Sequence, residues 1–224
     1  MTRLNLVVEG QTEEAFVRDL LGPHLAEHKV FCSFRCIRTS RKHGAKFRGG
    51  LSTYGKLKYD LGAWMGKDQN PDAYFTTMID LYGLPKDFPG VGETTYCQSP
   101  FDLANTLEEA FREDMNHPKN RFIPYIQVHE FEALLFADVN MFKASFPRAE
   151  DAIDTLKEIC KHFSSPEDIN RDNPPSKRIR ACLNDYQKTV DGIAIARRIG
   201  LPTMREYCPH FDRWVSLLEQ LPAA

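Results

Sequence analysis

Residues 4–8 (LNLVV) form a short, mostly apolar run that stops at Glu9-Gly10, the pattern of a buried strand closed by a turn. After the turn, Ala15, Phe16, Leu20 and Leu21 recur at helical spacing. Thr12 stands where a helix cap is expected, and Glu13 and Glu14 fall in the first turn, where the helix dipole favours negative charge. Residues 30–37 (VFCSFRCI) alternate as a second strand. Residues 51–65 predict a helix weakened by Gly55 and Gly62, and residues 73–79 (AYFTTMI) a third strand ending at Asp80. A Gly- and Pro-containing loop covers residues 81–97. Ser99-Pro100 with Asp102 then gives a capping-box start for a helix to about residue 115. Residues 122–128 (FIPYIQV) predict another strand, and residues 131–136 (FEALLF) the start of a helix.

Strands alternating with helices predict an α/β fold with a mainly parallel sheet flanked by helices, in which ligands gather beyond the carboxyl ends of the strands. Beyond residue 140 the pattern is helical: residues 141–163, 177–186, 190–199 and 211–221, with a polar linker over 164–176. The expected organisation is an α/β domain over residues 1–140 and a helical C-terminal region over 141–224. Phe211 and Trp214 sit at helical spacing and are expected in the core.

Composition adds little to this picture. The chain has 224 residues, 42% hydrophobic and 27% charged, which fits a globular protein with a sizeable core. There is no run of about 18 apolar residues, and the apolar stretch near the start is too short for a signal peptide. A cytoplasmic protein is therefore expected. The six scattered cysteines form no CxxC pair and read as small buried apolar residues. No Walker A, GxSxG or Cys-His signature is present, which argues against ATPase or nucleophilic hydrolase chemistry in this chain.

Charge distribution changes the picture more. The formal net charge is −2, yet residues 28–59 hold nine Lys or Arg and no acid, leaving 20 basic against 31 acidic residues elsewhere. Arg35, Arg38, Arg41, Lys42, Lys46, Arg48, Lys56 and Lys58 form most of this block, interleaved with Phe47, Tyr54 and Tyr59. Basic side chains hold phosphates and aromatics stack on bases, so the block is a candidate nucleic-acid surface. The alternative is a solvated loop that docks an acidic partner.

Three acidic sites follow strands: Glu9 with Glu13, Asp80, and Glu130 with Glu132. In a parallel sheet these ends converge on one edge. Converging carboxylates repel unless a cation neutralises them, and oxygen ligands suit magnesium or manganese. One or two such ions support phosphoryl chemistry. Each acid also has a plain structural reading, as a turn or helix-start residue, and His129 reads either as a ligand or as a half-buried core histidine.

The string VVEGQTEEAF resembles the first motif of the TOPRIM fold as found in OLD-family nucleases, with Glu9 and Glu13 matching its two glutamates. Together, IQVHEFEALLF and REYCPHFDRW look like a TOPRIM-like family of prokaryotic proteins encoded beside ATPases in defence islands. The resemblance touches the start, middle and end of the chain. It implies a Mg- or Mn-dependent nuclease acting on DNA or RNA, with a separate ATPase partner. Glu9, Asp80 and Glu130 would be catalytic, and Glu9, Glu13, Asp80, Glu130 and Glu132 would be metal ligands. Of the last two acids, Glu130 is the favoured one, because neighbours two apart diverge at a helix start. The chain departs from the motif at Tyr82, where a second aspartate is expected. That departure favours the alternative of a lapsed module that binds nucleic acid or an ATPase without cutting.

Overall fold

The computed structural model describes residues 1–37, 51, 53–68, 70–92, 99–117, 121–169 and 172–222. Strand β1 (Thr2–Val8) is central, with β2 (Val30–Cys36) on one side and β3 (Ala73–Asp80) on the other. Next to β3 run β4 (Phe122–Ile123) and β5 (Ile126–Gln127), and every pairing is parallel. The expected strand over 122–128 is split at Pro124, which lacks the N–H a ladder needs. Thr77 bridges the gap: its hydroxyl accepts from the Tyr125 amide and donates to the Tyr125 carbonyl, both at 3.0 Å.

Period-two alternation sorts the strand residues into two apolar layers, one on each face of the sheet. On one face Leu4, Leu6, Val8 and Met78 join α1 (Gln11–Phe16) and α2 (Gly22–Glu27). On the other, Val7, Phe75 and Ile79 pack with α3 (Tyr54–Lys67) and α4 (Pro100–Met115). Between α1 and α2 a π turn spans Val17–Leu21, and Gly22 caps it, its amide donating to the Val17 carbonyl: a β-carbon there would stand 2.8 Å from that oxygen. Gly10, not Thr12, is the cap of α1, and it makes no side-chain cap bond. At α4 the capping pair forms as expected, with the Asp102 amide donating to Ser99 Oγ at 3.0 Å.

The C-terminal region contains α5 (Glu150–Cys160), α6 (Pro175–Cys182), α7 (Ile193–Tyr207) and α8 (Pro209–Glu219). Residues 131–136 and 141–144, both expected in helices, instead lie in two 3-10 segments, Phe131–Ala137 and Val139–Ala144. The helix expected to end at residue 199 does kink there: Gly200 takes φ 75°, a conformation open to glycine, before α7 resumes. The helical region shares one apolar core with the sheet. Phe211 lies 6.0 Å from Phe16, and Trp214, 3% exposed, donates from Nε1 to Thr76 Oγ1 at 2.9 Å. Among the described residues no helix is long and apolar enough to cross a membrane.

Candidate metal centre

The carboxyl ends of β1 and β3 lie side by side, which brings Glu9 and Asp80 together. The Asp80 amide donates to Glu9 Oε2 at 3.0 Å. One turn into α1, the buried Glu13 lies near enough for its charge to act on both. Gly10 lets its carboxylate lie close to the backbone, since a β-carbon there would stand 3.2 Å from Glu13 Oε2. Glu14, the other first-turn acid, faces away and accepts from Cys36 Sγ at 2.9 Å.

The turn after β5 supplies the remaining acids. His129, 2% exposed, has φ 66°, a left-handed conformation that costs a residue with a side chain about 1 kcal/mol or more. This turn carries Glu130 out of the strand and sends Glu132, fully buried, back toward Glu13. Glu130 Oε1 accepts from the Ser176 amide at 2.6 Å, and its charge acts on Glu9, Asp80 and Glu132. All five acids anticipated from the sequence therefore face one site. Of the last pair, Glu132 is the deeper, because the 3-10 segment turns it inward.

Lys188 was not visible in the sequence as a site residue. It lies in a π turn (Lys188–Gly192) before α7, and its Nζ stands 3.1 Å from Glu132 Oε2 and 3.4 Å from Glu13 Oε1. Burial works against its charge, but Asp80, Glu132 and Glu13 outweigh that and hold it firmly protonated. One ammonium does not balance five carboxyls. Burial pushes Glu9 above the usual carboxylate range despite the Asp80 amide, and Glu13 and Glu130 add to the shift. Asp80 is pushed well above that range, first by burial and then by Glu9, Glu13 and Glu130, with Lys188 opposing. Glu132 is raised by burial.

A hard cation fits this donor set. Asp80 Oδ1 and Glu132 Oε1 are buried without a hydrogen-bond donor, a costly state that a cation relieves, while Glu132 Oε2 faces Lys188. Glu9, Glu13, Asp80, Glu130 and Glu132 are the residues that could hold magnesium or manganese. As folded here they are spread around Lys188 rather than closed on one point. Among the described residues the ligand-type atoms lying within 4.8 Å of one another are those of His24, His28 and Glu219, elsewhere in the fold.

Tyr82, in the 3-10 turn Leu81–Gly83 after β3, places its ring 5.1 Å from that of His129. His129 is buried, and burial drives its pKa down to about 4 despite the nearby Glu167 backbone, so the ring is neutral at pH 7. Of the basic block, Arg38, Arg41, Lys42, Lys46 and Arg48 lie outside the described residues. Lys56 and Lys58 are on α3. Lys58 pairs with Asp114 of α4 at 2.8 Å, and Arg35 stacks 3.9 Å from the Trp64 ring. Both contacts give these residues structural tasks beside any ligand contact. Lys177, Arg178 and Arg180 lie on or beside the α6 start, next to the Ser176 amide that holds Glu130.

The fold and site define an α/β protein with a parallel sheet, a helical C-terminal region and an acidic cluster at the carboxyl edge of the sheet. The chain belongs to the family described as Domain of unknown function (DUF4276), whose model matches residues 8–219. No curated protein and no solved structure matches the chain.

Proposed function

We propose that this protein is a magnesium- or manganese-dependent nuclease that hydrolyses phosphodiester bonds of DNA or RNA. The observation that supports the reading is the gathering of Glu9, Glu13, Asp80, Glu130 and Glu132 along one edge, with Asp80 Oδ1 and Glu132 Oε1 buried and lacking donors. A bound divalent ion would supply Lewis-acid stabilisation of the phosphate. The protein's own groups have separable tasks. Glu9 is the candidate base, its proton affinity raised toward the working pH, and it is oriented by the Asp80 amide. Asp80, Glu13 and Glu132 are candidate ligands, and Glu130 is held for the second side by Ser176. Arg38, Arg41, Lys42, Lys46, Arg48, Lys56 and Lys58 are the proposed nucleic-acid contacts. The resemblance to TOPRIM-like proteins supports the same reading, and further suggests an effector of anti-phage defence working with a separate ATPase.

The test is cleavage of plasmid, single-stranded DNA and total RNA with magnesium, manganese or EDTA. Glu9→Ala and Asp80→Asn should each lower cleavage by at least roughly 100-fold while the protein stays folded. Undiminished cleavage in both variants would sink the assignment. Two observations favour a second reading, a lapsed module that binds without cutting: Lys188 supplies a built-in cation, and Tyr82 supplies no carboxylate. Absence of metal binding at millimolar magnesium or manganese would favour that reading.

A further inference from the structure

Away from the acidic edge, α2 and α8 meet at three side chains with metal-ligand chemistry. His24 lies on α2 and His28 caps its end, so the two imidazoles are four residues apart and project together, with ring centroids 5.1 Å apart. Glu219, at the end of α8, reaches between them. Its Oε1 is 2.5 Å from His24 Nε2 and 3.8 Å from His28 Nε2, and all three ligand atoms lie within 4.8 Å of one another. Ligands about 2.1 Å from a tetrahedral zinc ion lie roughly 3.4 Å from each other, a spacing that these two distances bracket.

We propose that His24, His28 and Glu219 form a binding site for a transition-metal divalent ion of the zinc type, joining α2 to α8. Two imidazoles and one carboxylate suit zinc, cobalt or nickel and disfavour magnesium, which selects oxygen. His28 is 41% exposed, which leaves one side open to water as a further ligand. The neighbour that must be accommodated is Arg205, whose Nη1 contacts Glu219 Oε1 and lies 3.5 Å from His24 Nε2. Arg205 has other anchors: Nε donates to Asp212 Oδ1 at 2.6 Å, and Nη2 donates to Ser216 Oγ at 3.0 Å and Glu219 Oε2 at 3.2 Å. It can release Oε1 and still orient the carboxylate from its far side, the outer-shell role that tunes metal ligands. With both imidazoles neutral, Glu219, Asp212 and Arg205 sum to one net negative charge, which accepts a divalent ion.

The test uses the full chain stripped of metal with a chelator. Zinc is titrated by calorimetry, and cobalt is added as a spectroscopic probe of imidazole ligation. The expected result is one zinc per chain at this site, with a visible cobalt spectrum and a raised melting temperature. His28→Gln, at an exposed position where folding is not at risk, and His24→Gln should each weaken zinc binding by at least roughly 10- to 100-fold and abolish the cobalt bands. Asp80→Asn should leave both signals intact, so this result stands apart from the nuclease reading. No binding at micromolar zinc, or binding unchanged in both histidine variants, would overturn the proposal.

Discussion

Two regions of this molecule bury carboxylates, and they treat them in opposite ways. Beside α8, Glu167 is 3% exposed and both its oxygens are used: Oε2 accepts from the His210 amide at 2.9 Å and Oε1 from the Phe211 amide at 3.0 Å. Nearby, Glu108 Oε1 accepts from the Ile126 amide at 2.8 Å and meets His210 Nε2 at 2.9 Å. These acids cap backbone donors that would otherwise be orphaned at a helix start and a strand. At the carboxyl edge of the sheet, Asp80 Oδ1 and Glu132 Oε1 have no donor, and their carboxyls crowd like charges around Lys188. A fold that satisfies Glu167 so fully has no structural need for the second cluster. Unmet demand of this kind is what a bound ion would answer.

The strongest way to break the contrast is to remove Lys188, the cation that sits inside the second cluster among the described residues. Lys188→Met leaves Glu13 and Glu132 buried without their counter-charge and should cost about 3–5 kcal/mol at neutral pH, read by urea unfolding. A cost below about 1 kcal/mol would mean that the acids carry little charge in the folded state, and the contrast would disappear. Next in size is Glu167→Ala. It strands the amides of His210 and Phe211 at the start of α8 and should cost about 2–3 kcal/mol. Metal affinity should be unchanged in that variant. If Glu167→Ala proved harmless to stability but lost metal binding, the roles assigned to the two regions would be reversed.

The acidic edge was largely legible in the sequence because β1 and β3 are apolar runs that each end on an acid, and a parallel sheet aligns such ends. Three features were not legible, each for a physical reason. Lys188 stands alone between two helical stretches, and only tertiary packing brings it to Glu13, 175 positions earlier. FEALLF is buried on every side, so it has no amphipathic period to separate a 3-10 segment from an α-helix, and the inward turn of Glu132 could not be read. The Glu167 cap joins residues 43 and 44 apart through backbone amides, which carry no sequence signal at all.

The smallest expected effect has the opposite sign, and so sharpens the comparison most. The carboxyl of Asp80 has its pKa raised well above the ordinary value, chiefly by burial and even with Lys188 nearby, so its charge is a net cost to the folded state. A raised carboxyl contributes stability that is fully present below its unfolded pKa, about 3.9, and is lost as pH rises through the folded value. Asp80→Asn carries no such penalty. In the absence of divalent ions it should exceed the parent in stability by about 1–2 kcal/mol at pH 7–8, and the gain should fade toward pH 4. The order should reverse in millimolar manganese, because only the parent retains the ligand set whose binding stabilises the native state. Chemical denaturation of both proteins at pH 4, 6 and 8, with and without manganese, measures all of this. A variant less stable than its parent at pH 8 without metal would place Asp80 with Glu167, as a carboxylate kept for the fold.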